Sequence, residues 1–373
     1  MTLSMDKFLR FMVEKSASDL FITAGVPPSI KVHGKVMPVN KNTLSADQVR
    51  EIVYGLMSPK QQEEFETEHE LNFAINATGV GRFRASAFFQ RNVPGMVLRR
   101  IETRIPTIDQ LGLPDVVKDL SMTKRGLILF VGATGAGKTT SLAAMIGHRN
   151  LNSQGHILSI EDPIEFIHKH EGCIVTQREV GLDTESFEVA LKNGLRQAPD
   201  AIMIGEVRTS TTMEHAITFA ETGHLCLATL HANNANQALD RVIHFFNAER
   251  HSQIWMDLSL NLRAIIAQQL VPTPDGRRRR AVVEVLLNTP LVADTIRKGD
   301  VHELKDLMAR STEHGMQTFD QALFGLYKEG EISYEDAIAH ADSPNDLRLM
   351  IKLGNDQDIR DLDGVTRSLR LQD

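Results

Sequence analysis

Residues 126–140 read GLILFVGATGAGKTT, and this stretch decides the fold. Within it, residues 132–139 fit the pattern G-x-x-x-x-G-K-[ST]. An apolar run precedes the glycines and SLAAMIGH follows with helical character. Strand, glycine turn and helix N-terminus, in that order, make an anion site. The glycines let backbone N–H groups turn toward phosphates, and the helix end adds a partial positive charge. The nucleotide-binding assignment covers Gly132, Ala133, Thr134, Gly135, Ala136, Gly137, Lys138, Thr139 and Thr140. Lys138 is expected to neutralise the β- and γ-phosphates and the Thr139 hydroxyl to ligate Mg²⁺. A chance glycine turn would lack both flanks. No Asn-Lys-x-Asp guanine-reading motif is apparent, so residues further along have to separate a kinase, a switch GTPase and a motor.

Two acidic stretches follow. ILSIEDPIEF ends an expected strand with Glu161-Asp162, and AIMIGEVR ends another with Gly205-Glu206. In an open α/β sheet, ligands bind at the carboxyl ends of strands, which places both carboxylates near the terminal phosphate. Glu161 is assigned to orienting or activating water and Glu206 to the Mg²⁺ shell, through water. Asp162 reads as the cap of the next turn, and Glu165 as a solvated helix-start residue. The basic candidates are less local. GRFRASAFF puts Arg82 and Arg84 on one strand face, and MVLRRI adds Arg99 and Arg100. Surface arginines are mostly solvated, yet an ATPase that moves needs cations on a mobile body. Lys192 and Arg196, four apart on one expected helix, lead toward the Glu206 strand, and Arg208 is a further candidate. His224 precedes a strand and His231 follows it, and by themselves they read as ordinary strand-end residues. The run RRRR at 277–280 reads as a solvated hairpin turn with AVVEVLL as the return strand.

The rest of the chain frames these motifs. Residues 1–100 mix short strands, Pro/Gly turns and helical spacing, which is an α+β pattern. Residues 101–114 carry two prolines and a Gly-Leu-Pro and read as a linker. From 115 to 353, short apolar runs alternate with helices, the signature of a mainly parallel sheet covered on both faces. Residues 354–373 are charged and poor in core residues, and a mobile tail is expected there. The formal charge of −7 and 5% aromatic content argue against nucleic acid as a partner and against bulk attraction to anionic lipid. The N-terminus has no signal-peptide core and LILFV is too short to span a bilayer, so membrane association is expected only through partners. The two cysteines, Cys173 and Cys226, read as buried reduced thiols of a cytosolic protein.

Five segments in order, the phosphate loop, IEDPIEF, QREVGLDTESF, GEVR and TGHLCLATLHANNA, together resemble the secretion ATPase superfamily. SASDLFITAGVPP, GRFRASAF, RIPTIDQLGLP and GMQTFDQAL resemble the type IV pilus retraction ATPases of its PilT/PilU branch. The resemblance implies a RecA-like P-loop ATPase domain preceded by a small PAS-like α+β domain, an ATP-hydrolysing homohexamer using Mg²⁺, and a cytoplasmic place peripheral to the inner membrane at the pilus base. It implies as partners a PilT-type retraction ATPase and the inner-membrane platform protein of the pilus. By the same resemblance Glu161 is the catalytic glutamate, Glu206 the Walker B glutamate, and Arg84 and Arg99 the N-terminal arginines that close on nucleotide. His224 and His231 become His-box residues near the γ-phosphate or at a subunit contact. Some positions depart from the branch: PLVADTIRKGDVHEL stands for the AIRNL-type helix, GEVRT carries Thr209 for Asp, LRQAPD replaces LREDPD, and Lys192 stands for an expected arginine. These departures fit the accessory paralog of the branch, which assists retraction in twitching motility. A second reading is a ring-scaffold subunit that binds the main motor without its own turnover being required, and a third a nucleic-acid translocating ring, which the acidic balance disfavours.

Overall fold

The computed structural model describes residues 5–32, 34–101 and 104–353; the tail expected over 354–373 lies outside the described residues. Contacts divide the chain into two units. The first runs to Arg104 and takes in Ile164–Ile167, and the second spans Ile105–Pro163 and continues from His168. Ile108 and Leu113, inside the stretch read as linker, are buried in the second unit's core.

The first unit contains α1 (Met5–Glu14), β1 (Asp19–Ile22), β2 (Ser29–Val32), β3 (Lys35–Pro38), α2 (Ala46–Gly55), α3 (Pro59–Glu68), β4 (Glu70–Ala77), β5 (Gly81–Gln90) and β6 (Val93–Arg100). Its strands form one antiparallel sheet in the order β3-β2-β1-β6-β5-β4. Ser45 and Ser58 start α2 and α3 with capping boxes closed by Gln48 and Gln61, which satisfies backbone donors that a helix end leaves orphaned. Strand alternation sends Phe83, Ala85 and Ala87 into the core with Phe65, Phe73 and Leu98. The same alternation puts Arg82 and Arg84 on the opposite face.

The second unit contains α4 (Val116–Ser121), β7 (Gly126–Val131), α5 (Lys138–Asn152), β8 (Gly155–Glu161), β9 (Cys173–Glu179), α6 (Phe187–Gly194), β10 (Ala201–Ile204), α7 (Ser210–Glu221), β11 (Leu225–Leu230), α8 (Ala235–His244), α9 (His251–Asn261), β12 (Leu262–Pro272) and β13 (Arg279–Leu287). Helices α10 (Pro290–Lys298), α11 (Leu304–Arg310), α12 (Phe319–Lys328) and α13 (Tyr334–His340) follow. The sheet order is β13-β12-β7-β11-β10-β8-β9, parallel except for the β12–β13 hairpin. All residues of β7, β10 and β11 are buried. Leu127, Leu129 and Val131 pack with α6 to α13, whereas Ile128 and Phe130 pack with α4 and α5. Each buried aliphatic side chain stabilises the unit by about 1.5–3 kcal/mol, which is why near-continuous apolar runs mark these strands. This is a RecA-like core with an N-terminal domain. Both cysteines are buried and free.

One buried acid ties the C-terminal helices to the sheet. Glu284 of β13 is 1% exposed and accepts the Ala235 N–H at the start of α8 (2.8 Å). Burial pushes its carboxyl up to about 7, against the amide hydrogen bond from Ala235; Asp342 adds to the rise, while Lys305 and the Phe319 amide oppose it. The native state therefore keeps a proton that the unfolded chain releases from about pH 4.5 upward. Stability from this group is full below that pH and is lost as pH rises through about 7. Measured by chemical denaturation, the stability difference between wild type and Glu284→Gln is expected to fall by on the order of 3 kcal/mol across that window. A pH-independent difference would contradict the assignment.

Candidate active site

The phosphate loop forms where β7 ends against β12. Gly132, Gly135 and Gly137 have φ of 157°, 80° and 86°, and α5 starts directly at Lys138 with its N-terminus at the loop. Glycine at 132 is dictated by a close approach, because a Cβ there would lie 2.4 Å from the Gln268 carbonyl oxygen. The Gln268 side chain, 2% exposed, then bridges loop and helix. Its Nε2 donates to the Ala136 carbonyl (2.7 Å), and its Oε1 accepts from Ser141 Oγ (2.8 Å). Lys138 Nζ donates to the carbonyls of Gly132 (2.7 Å) and Ala133 (2.9 Å).

The two acids stand at the carboxyl ends of parallel strands. Glu161 is the last residue of β8, 3% exposed, and its Oε1 accepts from Ser159 Oγ (2.7 Å) and Gln177 Nε2 (3.0 Å). Gly205 leads from β10 to Glu206 because a Cβ there would meet the Glu161 Cα at 3.1 Å. Glu206 is clamped from two sides, by Arg208 Nη2 on Oε2 (2.7 Å) and His231 Nε2 on Oε1 (2.9 Å). Burial alone would raise the Glu206 carboxyl. The Arg208 hydrogen bond and the charges of His231, Arg208 and Lys138 reverse this and hold it below the ordinary carboxylate value. A cavity of about 300 Å³ beside the cluster is lined by Gly132, Ala133, His231, Asn233 and Gln237. Phosphate loop, ionised Glu206 and His231 thus share one end of the sheet.

The model for type II/IV secretion system proteins matches residues 3–298. The type IV pilus ATPase PilU of Pseudomonas aeruginosa is 72% identical over 370 residues, 99% of this chain and 97% of its own. The type IV pilus retractation ATPase PilT of the same organism is 40% identical over 92% of this chain and 100% of its own. The crystal structure of the pilus retraction motor PilT with bound ADP superposes with a TM-score of 0.87 at 38% identity, covering 93% of this chain and 99% of that one. The chain belongs to the type IV pilus ATPases of the secretion ATPase superfamily.

In this pilus ATPase the remaining candidates separate. Arg84 and Arg99 belong to the first unit, where they face each other across β5 and β6. Like charges in register repel, and Asp19 of β1, in register with Arg99, relieves this by accepting from Arg99 Nε (2.9 Å). Asp19 is buried, while the Arg99 side chain is 71% exposed.

One expectation needs correction, and one of the two alternatives for His224 is set aside. Lys192 and Arg196 do not lie on one continuous helix: α6 ends at Gly194, and Arg196 sits in a 3₁₀ turn, hydrogen-bonded to Asn193. That turn precedes β10, and its Gln197 carbonyl is bonded by His156 Nδ1 (2.9 Å) at the start of β8. Arg196 is therefore at the amino edge of the sheet, whereas Glu206 follows the carboxyl end of β10. His224 is at that amino edge too, bonded through Nδ1 to Thr222 Oγ1 (3.0 Å). The six residues of β11 separate it from His231 by roughly 20 Å, so within one subunit it does not reach the phosphate loop.

Among the described residues no helix is long and apolar enough to cross a membrane. Gln268 had no motif to announce it, whereas Ser159 and Gln177 lie inside quoted stretches, ILSIEDPIEF and QREVGLDTESF, without having been singled out.

Proposed function

We propose that this chain is the subunit of a homohexameric ring that hydrolyses ATP with Mg²⁺ and assists retraction of type IV pili in twitching motility. The observation that carries the reading is the Glu206–Arg208–His231 cluster beside an intact phosphate loop. In this reading residues 132–140 cradle the phosphates, Lys138 leaves the loop carbonyls for the triphosphate, and Glu161 orients the attacking water. The Thr139 hydroxyl in the first turn of α5 and the ionised Glu206 offer hard oxygen ligands that fit Mg²⁺. Among the described residues no cluster of three or more His, Cys, Asp or Glu makes a separate metal cage. The metal, when bound, neutralises charge on the β- and γ-phosphate oxygens. His231 and Arg208 hold Glu206 ionised and fix its orientation. Arg84 and Arg99 supply the cations that close on the nucleotide, and Arg196 and His224, at the far edge of the sheet, serve the contact with the next subunit.

The 72% identity to the type IV pilus ATPase PilU supports work in the pilus machinery; in this reading the ring acts beside a PilT-type motor and the platform protein, at the cytoplasmic face of the inner membrane. The departure at Thr209 leaves the site intact, because Thr209 caps α7 by accepting from the Thr212 N–H, a role Asp fills equally. The test measures ATPase rate and twitching for wild type and Lys138→Ala, each with and without the partner motor. Lys138→Ala is expected to lower turnover by about 10²-fold and to weaken assisted retraction. Full retraction by Lys138→Ala beside an active partner would favour the scaffold reading instead.

A further inference from the structure

Glu161 ends β8 with polar neighbours on its own face of the sheet. Strand alternation puts Ser159, two residues earlier, on that face, and the β8–β9 register sets Gln177 opposite Ser159 and Glu179 opposite Glu161. Glu161 and Glu179 are both 3% exposed. Like charges in register repel, so a carboxylate at this place has to be held to keep its direction. Two donors contribute, Ser159 Oγ at 2.7 Å and Gln177 Nε2 at 3.0 Å, and both meet the same oxygen, Oε1. Gln177 is held at its other end too, where its Oε1 accepts the His168 N–H at 2.8 Å. His168 is buried, so this anchor belongs to the packed interior. An ionised carboxylate accepts and a backbone N–H donates, so the Gln177 amide fits one way round. Leucine would fill the volume with neither group, and glutamate would bring the acceptor without the donor.

We propose that Gln177 is a positioning residue for hydrolysis, which aims the Glu161 carboxylate and ties it to the β8–β9 connection at His168, an assignment that rests on the role of Glu161 in the ATPase reading. Holding one oxygen sets the plane of the carboxylate and so the direction it presents to the attacking water. Turnover depends on that direction, because a misplacement of about 1 Å costs up to about 10²-fold in rate. Nucleotide binding does not share the dependence. The phosphate loop follows β7 and takes its support from Gln268 of β12. Gln177 therefore acts through Glu161 and not through the ligand's phosphates, and its loss should be felt in the chemical step.

The test is a double-mutant cycle on the full chain: single-turnover ATP hydrolysis and ADP affinity in wild type, Gln177→Leu, Glu161→Gln and the double variant. Gln177→Leu is expected to slow hydrolysis by about 10- to 100-fold, with ADP affinity within about twofold of wild type. In the Glu161→Gln background the same change is expected to cost less than about threefold, because the group it positions is gone. Gln177→Glu, the second variant, keeps the acceptor for the His168 N–H and turns an oxygen toward Glu161. It is expected to be at least as slow as Gln177→Leu. Wild-type turnover in either Gln177 variant, an equal loss in both backgrounds, or an ADP affinity that falls as far as the rate would overturn the positioning role and leave the ATPase reading standing. Wild-type turnover by Glu161→Gln would remove Glu161 from the reacting centre, and the role of Gln177 with it.

Discussion

Glu206→Gln is expected to cut ATP turnover by about 10²-fold or more while ATP binding stays within about threefold of wild type. The carboxylate is ionised because Arg208 and His231 each contribute a donor to one of its oxygens. An amide has one oxygen, so one of the two donors would face an N–H₂ group and turn away. The phosphate loop lies on a different strand connection and keeps its own contacts with Gln268, which is why binding and turnover should separate. Parallel measurements of ATP affinity and of single-turnover hydrolysis check this. Unchanged hydrolysis would remove Glu206 from the reacting centre.

Gly132→Ala is the second large effect. The added methyl would meet the Gln268 carbonyl oxygen at 2.4 Å and the Ala136 Cβ at 3.1 Å. Neither is the far end of a flexible side chain, so the loop or β12 has to shift. Such a shift typically costs about 1–3 kcal/mol, and a loop that aims its N–H groups elsewhere passes that cost to the ligand. ADP affinity is expected to drop about 10- to 100-fold by calorimetry. Gly135→Ala is the control. Gly135 also has positive φ, but a Cβ there meets nothing within 4 Å, so its loss should be limited to the left-handed strain of about 1–2 kcal/mol. Wild-type ADP binding by Gly132→Ala would show that the close approach does not set the loop.

What the sequence made legible follows from distance along the chain. The strand, loop and helix around residues 126–152 are encoded locally, so a pattern of eight residues carries them. Glu161 and Glu206 were legible because a parallel sheet sends every carboxyl end to one edge. The same rule, applied in reverse, would have placed Arg196 and His224 correctly: both precede a strand, so both belong at the other edge. Arg196 was brought toward Glu206 by helical spacing, and His224 toward the γ-phosphate or a subunit contact by the family resemblance, neither by the polarity of the strands. Gln268 was not legible at all. It is 132 residues from Ala136, and what joins them is the pairing of β7 with β12, a non-local event that no window of sequence reports. Asp19, which steadies Arg99 across 80 residues, was hidden for the same reason.

The roles of Glu161, Glu206 and His231 depend on the direction in which a triphosphate lies along the loop. The most direct measurement is a structure of the Glu206→Gln assembly trapped with Mg²⁺ and ATP. The terminal phosphate is expected between Lys138 and His231, within reach of Glu161. A terminal phosphate on the Thr140 and Arg278 side, with Glu161 and His231 facing solvent, would contradict the assignment of the acids.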